Sequence, residues 1–311
     1  MNKFVKIQDL LNEKADCQAR INLMPYDGSP EIKEQSGHKY LYVRKRVAGR
    51  LTSTYVDVYS EELYQLLLRN ARDIRVLRKR IRQIEKELSS LGYEESELSE
   101  RVFQNIDFAR ANMKSNIYDQ AVLEGVGTSF PQTEGIIDNG TVNGVKATDV
   151  QKILNLKHAW EFILDKDVIQ SKSDFYMVSH IAKLVNEGFY MDGGRVRGIP
   201  VTIGGSTYVP PIPRELAVKE SIDNILNLDK EPIDIAIEIC LYCMKMQIFI
   251  DGNKRAAVIF ANQYLIAHGQ GFIVIPESEV DDFKKLLVKY YEGEESVIIR
   301  AFLKEKCWKN F

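Results

Sequence analysis

A chain of 311 residues with 45% hydrophobic and 28% charged side chains has enough apolar material for a core of ordinary size and a small extra domain, which excludes a disordered or low-complexity protein. A formal net charge of −2 excludes a surface that is basic throughout, so nucleic-acid contact needs a local patch, and four cysteines in a chain this long do not make a disulfide framework. The start, Met1-Asn-Lys-Phe-Val-Lys, lacks an apolar signal core and no run reaches membrane-spanning length, which predicts a cytoplasmic protein with no membrane partner.

Residues 1–59 form an N-terminal segment. Val5 to Leu11 reads as a short amphipathic piece, and Pro25, Gly28, Pro30 and Gly37 predict an irregular stretch after it. Tyr40 to Val47 and Leu51 to Val58 are β-branched and aromatic, separated by Ala48-Gly49-Arg50, the pattern of a small basic β-hairpin. Ser60 is placed to cap a long helix over 60–93, with Glu61 and Glu62 suited to the positive end of its dipole. Along it Leu63, Leu67, Ile74, Leu77, Ile81, Ile84, Leu88 and Leu91 step by threes and fours, with Asn70 in one seam position. This heptad pattern predicts a coiled-coil arm or helical hairpin, packed on the following helix or, by self-association, on a second copy of the chain. The same helix carries Arg69, Arg72, Arg75, Arg78, Lys79, Arg80 and Arg82 against Asp73 alone. Such a stripe is most often a solvated or protein-docking face and less often a nucleic-acid contact.

Residues 94–311 read as a helical domain. Ser96 is placed to cap a helix to about Val122, with Leu98, Val102, Ile106, Ala109 and Met113 at helical spacing, and its end is Leu123-Glu124-Gly125. Ser129 to Thr148, with turn signals at Asp138-Asn-Gly140 and Asn143-Gly144, is a surface connection. Asp149 is placed to cap an apolar helix through Ile163, and another spans about Asp174 to Glu187. His158 and His180 have apolar neighbours there and read as packing residues. From Gly193-Gly194-Arg195-Val196-Arg197 a ribbon follows: Ile199-Pro-Val-Thr-Ile203 runs out, Gly204-Gly205-Ser206-Thr207 turns, and Tyr208-Val209 returns before Pro210-Pro211. Near the end, Gly271 to Ile275 reads as a strand, and Asp281 to Glu292 and Ser296 to Trp308 as helices.

The most informative stretch is Gln247-Ile-Phe-Ile-Asp-Gly-Asn-Lys-Arg255. Before it, Pro232 starts a helix carrying Ile233, Ile237, Ile239, Cys240, Cys243, Met244 and Met246; after it, Ala256 to His268 is apolar nearly all round and stops at Gly269. Cys240 and Cys243 have no second Cys/His pair to complete a zinc set and read as buried thiols. A glycine turn at the start of the second helix leaves backbone N–H groups without helical partners, and such an end attracts anions. Gly252 lets the backbone approach a phosphate, Asn253 offers a side-chain donor, Arg255 a guanidinium fork, and Asp251 a single carboxylate of the kind that holds a phosphate-bridging Mg²⁺. The same residues also suit a plain capped turn between two core helices.

The loop resembles the signature of the Fic/Doc (Fido) family, His-x-Phe-x-Asp/Glu-Gly-Asn-Gly/Lys-Arg, at Phe249, Asp251, Gly252, Asn253, Lys254 and Arg255. The catalytic histidine of that signature is replaced by Gln247. Leu123-Glu124-Gly125 with Thr128 resembles the family's Ser-x-x-x-Glu-Gly inhibitory segment, with Gln120 in place of the serine. The order helix, Gly-x-x-Arg, hairpin, Pro-Pro, helix and loop also matches over about residues 110 to 300. The resemblance implies a mainly α fold, a helical bundle with a β-hairpin flap, and a chemistry in which AMP passes from ATP with Mg²⁺ to a Ser, Thr or Tyr of a target protein. It implies a nucleotide on Asp251, Gly252, Asn253, Lys254 and Arg255, Mg²⁺ on Asp251, and Glu124 as an inhibitory partner of Arg255. It also implies a target segment docked as a strand on a flap of Ile199, Val201, Ile203, Gly204, Gly205 and Tyr208. Asn-Lys-Arg is similar to the Doc branch, whose members are protein kinases.

Glutamine cannot accept the proton that the family's histidine takes, and a placed general base is typically worth about 10²- to 10⁴-fold. Three readings follow. The chain binds a nucleotide but is catalytically degenerate. Alternatively it is a working transferase or deAMPylase in which Glu124 is the brake or the water activator. In the third, it is a non-enzymatic module acting through its arm and basic stripe.

Overall fold

The computed structural model describes residues 3–47, 50–93, 97–140, 142–294 and 296–311. They fall into two compact units, Met1–Glu94 with Asp138–Gly140, and Glu95–Ile137 with Thr141–Phe311.

In the N-terminal unit α1 (Lys3–Leu23) is followed by β1 (Ser29–Gln35), β2 (His38–Val47), β3 (Arg50–Val58) and α2 (Glu61–Ser90). α1 is longer than the piece expected over Val5 to Leu11. Its buried positions continue through Ala15, Ala19 and Ile21, and polar residues pair one turn apart, as in Arg20 Nε donating to Asp16 Oδ2 at 3.0 Å. β1 stands where an irregular stretch was expected. Its sequence shows no apolar alternation, but it is an edge strand paired only with β2, and an edge tolerates Pro30. The expected hairpin forms between β2 and β3, with Leu41 and Val43 turned inward onto Leu67; Ala48 and Gly49 of its turn lie outside the described residues.

Ser60 caps α2, its Oγ accepting from Leu63 N at 3.2 Å. The heptad seam is covered within the chain: Ile84 and Leu88 pack on Leu10 and Leu11, and Leu67 packs on the sheet. Arg80 grips Glu13 through two bonds of 2.6 and 2.7 Å, and Asn70 Nδ2 donates to Pro25 O at 3.3 Å, so α1 runs antiparallel along α2. The partner of the seam is the preceding helix rather than the following one, because α1 is long enough to span it.

The second unit comprises α3 (Glu100–Ala111), α4 (Met113–Leu123), α5 (Phe130–Asn139), α6 (Ala147–Ile163), α7 (Lys166–Ile169), α8 (Phe175–Val185), α9 (Glu215–Leu226), α10 (Pro232–Met246), α11 (Asn253–Ala267), α12 (Val280–Tyr291) and α13 (Val297–Phe302). The short strands β4 (Phe272–Ile273) and β5 (Trp308–Lys309) pair antiparallel. Ser96 lies outside the described residues, and Ser99 is the cap of α3, its Oγ accepting from Val102 N at 3.3 Å. The single helix expected to about Val122 breaks at Asn112, and α6 begins ahead of Asp149, which sits in its first turn. α11 is the central element: every side chain from Arg255 to Ile266 is buried, with α10, α8, α6, α3 and β4 against it. That burial is what an all-round apolar helix dictates. His158 lies 3.3 Å from Glu187 and His180 stacks on Phe162 at 4.5 Å, both as packing residues. No helix of the described residues is long and apolar enough to cross a membrane.

Candidate functional site

The joint between α10 and α11 is built by backbone geometry first. Pro232 occupies the first turn of α10, and the helix stops at Gln247, whose φ of 49° and ψ of 59° are left-handed. Glycine is the usual residue at such a stop. Gln247 is held there by hydrogen bonds: its Nε2 donates to Met244 O at 2.6 Å, its Oε1 accepts from Asn253 Nδ2 at 3.2 Å, and its own carbonyl accepts from Arg197 Nε at 2.6 Å. Gly252 opens α11 at φ 72°, and a Cβ there would lie 2.8 Å from Asn186 Oδ1. Asn186 Nδ2 in turn donates to the carbonyls of Asp251 (2.9 Å) and Gly193 (3.2 Å), so the loop is seated on the end of α8.

Asn253 ties the loop to itself, its Oδ1 accepting from Phe249 N at 2.9 Å and its Nδ2 donating to Phe249 O at 2.8 Å. Its amide was expected to face a phosphate; both of its polar atoms are engaged within the loop instead. Arg255 is 1% exposed. Its Nη1 donates to Val185 O at 2.8 Å, Nη2 to Asp251 Oδ2 at 3.2 Å, and Nε lies 3.7 Å from Glu124 Oε2. Lys254 Nζ lies 3.6 Å from the other Glu124 oxygen. The fold therefore brings Glu124 to Arg255, the partner the resemblance implies, and also to Lys254, through the C-terminal end of α4. Gln120, in that same helix, donates to Arg255 O at 3.0 Å and accepts from Trp160 Nε1 at 3.2 Å, a buried cross-link with no signal in the residue pattern.

No side chain caps α11, so the backbone N–H groups of its first turn keep their field. A cavity of about 890 Å³ opens on this end of the helix. Gln247, Asp251, Gly252, Asn253, Lys254 and Glu124 line one side, residues Thr202 to Gly205 another, and α12 a third, through Lys284, Lys285, Lys289 and the buried Leu287 and Tyr291. Arg255 is not in the lining. Four lysines face one half-exposed carboxylate, Asp251, and the more enclosed Glu124. The α12 lysines were not expected at the site, since lysines opposite Phe283, Leu287 and Tyr291 read as an ordinary solvated face. Lys245 and His268 point away: Lys245 Nζ donates to Tyr290 O at 2.9 Å and His268 Nδ1 contacts Tyr264 O at 2.7 Å.

Ile199, Val201, Ile203, Gly204, Gly205 and Tyr208, expected as paired strands of a flap, do not form a ladder. The turn is present, with Gly205 at φ 80° and Ser206 N donating to Ile203 O at 3.2 Å. The arms are strapped by side chains instead. Arg197 donates to Ile199 O (2.7 Å) and Pro211 O (2.6 Å), and Glu292 Oε1 accepts from Thr207 N at 2.9 Å. Pro200, Pro210 and Pro211 lack the N–H that a ladder needs.

Among the described residues no cluster of three His, Cys, Asp or Glu side chains forms a metal site, and Asp251 stands as a single carboxylate. Burial pushes the Cys243 thiol up to about 12 and Cys240 up as well, so both are inert.

Residues 173–265 match the model of the Fic/DOC family, and residues 5–65 match a model described as a domain of unknown function (DUF6788). No curated protein matches the chain. Among solved structures the fold is similar to Fic-1 (aa134–508) from C. elegans, at 19% identity and TM-score 0.52, over 79% of this chain and 74% of that one. It is also similar to a Fic family protein from Desulfovibrio desulfuricans G20, at 15% identity and TM-score 0.53, over 68% and 73%. Residues 173–265, which include the loop 247–255, thus match the Fic/DOC family model, and the chain has the mainly helical fold of those Fic-domain structures.

Proposed function

We propose that the loop 247–255 and the N-terminus of α11 hold the phosphates of a nucleotide, ATP with Mg²⁺, and that this chain is a relative of protein AMP-transferases with little or no transfer activity. One observation carries the reading: an uncapped helix N-terminus, Lys254 and the half-exposed Asp251 share one wall of a cavity of about 890 Å³, within the size range of small-molecule sites. The residues fit the ligand. The first-turn N–H groups and Lys254 suit phosphate oxygens, and one carboxylate suits a Mg²⁺ that takes its other ligands from phosphates and water. Arg255, buried and bonded to Val185 and Asp251, shapes the loop rather than gripping the ligand.

Bound ATP supplies the electrophilic phosphorus. What the chain lacks is a proton acceptor, since the Gln247 amide is neutral and both its polar atoms are engaged. Glu124 acts as a brake: its carboxylate sits 3.6 Å from Lys254, where a phosphate must compete with it. A second reading, in which Glu124 activates a water, rests on one feature: its Oε1, buried 3.6 Å from Lys254 Nζ in the wall of the cavity, accepts no hydrogen bond. A target protein's extended segment is proposed to lie along residues 199–208.

Titration calorimetry with Mg-ATP tests the binding step: wild type gives heat and Lys254→Ala weakens it. No heat from the wild type overturns the nucleotide reading. A labelled-ATP transfer assay tests the degeneracy: Gln247→His with Glu124→Gly labels acceptor protein and the wild type does not. Equal labelling by the wild type overturns the account of Gln247.

A further inference from the structure

We propose that the N-terminal unit binds a single strand of nucleic acid, with phosphates in a basic cavity at one end of β2 and bases on the tyrosine face of the sheet. This goes beyond the nucleotide reading of the other unit and does not depend on it.

Charge is the first observation. Residues 1–93 carry 18 Lys and Arg against 12 Asp and Glu, a net +6, although the whole chain stands at −2. Much of that charge converges. A cavity of about 500 Å³ is lined by Arg44, Lys45, Arg46 and Arg78 with Leu51, and a smaller one of about 200 Å³ adds Arg75 and Arg82; both are bounded by Asp27, Gly28 and Ser29. Asp27 is the one acid among these six cations, and it is already committed, 2.7 Å from Arg78 and 3.8 Å from Lys45. Folding that gathers so many like charges around a cavity works against stability unless an anion relieves the repulsion.

The second observation is what lies beside the cations. Strand alternation turns Leu41 and Val43 inward onto Leu67, so Tyr40, Tyr42, Arg44 and Arg46 share the opposite face of β2. Tyr55 on β3 stands directly across from Tyr42, with ring centroids 5.6 Å apart, and is 49% exposed. Lys33 Nζ lies 4.2 Å from the Tyr42 ring. Of the cations around the cavity, Arg44 and Arg46 share the tyrosine face, and aromatic rings in line with phosphate-binding cations are the surface that single strands use, bases stacking while the backbone is neutralised. A lipid surface or a phosphopeptide would use the cations but not the row of tyrosines.

The test uses the full chain and fluorescence anisotropy with labelled oligothymidylate and oligouridylate of about 20 nucleotides, over roughly 50 to 200 mM salt. Binding is expected, with log affinity falling against log salt by about 0.7 per phosphate neutralised. Arg44→Ala with Arg46→Ala reduces that slope, and Arg44→Lys with Arg46→Lys retains it, which separates lost charge from lost folding. Tyr55→Ala weakens binding about five- to hundredfold at an unchanged slope. Lys284→Ala with Lys285→Ala, in the other unit, leaves binding unaltered. The proposal is overturned by absence of binding at the lowest salt, by loss of binding in the Lys284/Lys285 variant, by no effect of Tyr55→Ala, or by tighter binding to phosphatidylserine vesicles than to either strand.

Discussion

Asn253 and Gln247 hold one another across the loop, Nδ2 to Oε1 at 3.2 Å, while Gln247 Nε2 donates back to Met244 O at 2.6 Å. Gln247 is thus part of the scaffold that ends α10, and it sits in left-handed backbone at φ 49°. Gln247→Ala loses both side-chain bonds and keeps the strained conformation, at a cost of about 1 to 3 kcal/mol. Gln247→Gly loses the same bonds but relaxes the backbone, so it is expected to be more stable than the alanine variant by about 1 kcal/mol. Urea unfolding followed by tryptophan fluorescence reads this unit alone, since Trp160 and Trp308 both lie in it. Equal midpoints for the two variants would show that the left-handed turn stores no strain.

Gly252→Ala acts on the other end of the turn. Its Cβ meets Asn186 Oδ1 at 2.8 Å in a conformation, φ 72°, that L-residues avoid by roughly 1 to 2 kcal/mol. Asn186 must then move, and with it the bonds to Asp251 O and Gly193 O that seat the loop. Expected are a loss of about 2 to 4 kcal/mol in urea unfolding and the disappearance of the Mg-ATP heat. A variant that binds as wild type would mean that the loop's position is not set by Asn186.

Local rules made much of this legible and tertiary partners hid the rest. Ser60, the hairpin at 40–58 and the all-round burial of α11 each follow from a cap, an alternation or an apolar pattern that neighbours in the chain determine, whereas the approach of Glu124 to Arg255, far apart in sequence, was implied only by the resemblance of two motifs to one family. β1 was invisible because an edge strand needs neither alternation nor an inward face, and the part of α1 beyond Leu11 because its polar residues are satisfied by side chains a turn away. The paired flap does not form because Arg197, at the foot of the same segment, and Glu292, distant in sequence, take the backbone groups that a ladder would use. The chemistry of Asn253 and Arg255 suits a ligand, yet their partners Phe249 and Val185 engage their polar atoms within the fold. The lysines of α12 reach the cavity only because of where the helix packs, which no spacing encodes.

Gln120→Leu removes a cross-link without removing volume. Trp160 is fully buried, and its indole N–H loses its acceptor. The Arg255 carbonyl, in the first turn of α11, keeps its place as a helical acceptor, so the indole bears most of the cost. A loss of about 2 kcal/mol is expected, with a shifted Trp160 emission in the folded state. An unchanged urea midpoint would mean that the indole finds another acceptor.

Asp119 sets a pH dependence whose sign can be worked out. Burial raises its carboxyl above the ordinary 3.8, against the opposing pull of the Glu277 N–H, which donates to Oδ1 at 3.0 Å, and of Lys309; the Glu277 carboxylate adds to the rise. The folded state therefore holds the proton more tightly than the unfolded chain. The stability this contributes is fully present below the unfolded value and is lost as pH rises through the folded one. At about pH 7 the buried carboxylate is a liability. Asp119→Asn keeps an acceptor for Glu277 N and carries no charge, so it is expected to raise the urea midpoint at about pH 7, with the advantage shrinking toward zero by about pH 3. Wild type and variant differ in this one titrating group, so their difference against pH isolates it from the other carboxylates. A variant less stable than wild type near neutrality would show that attraction from Lys309 outweighs the burial of the charge.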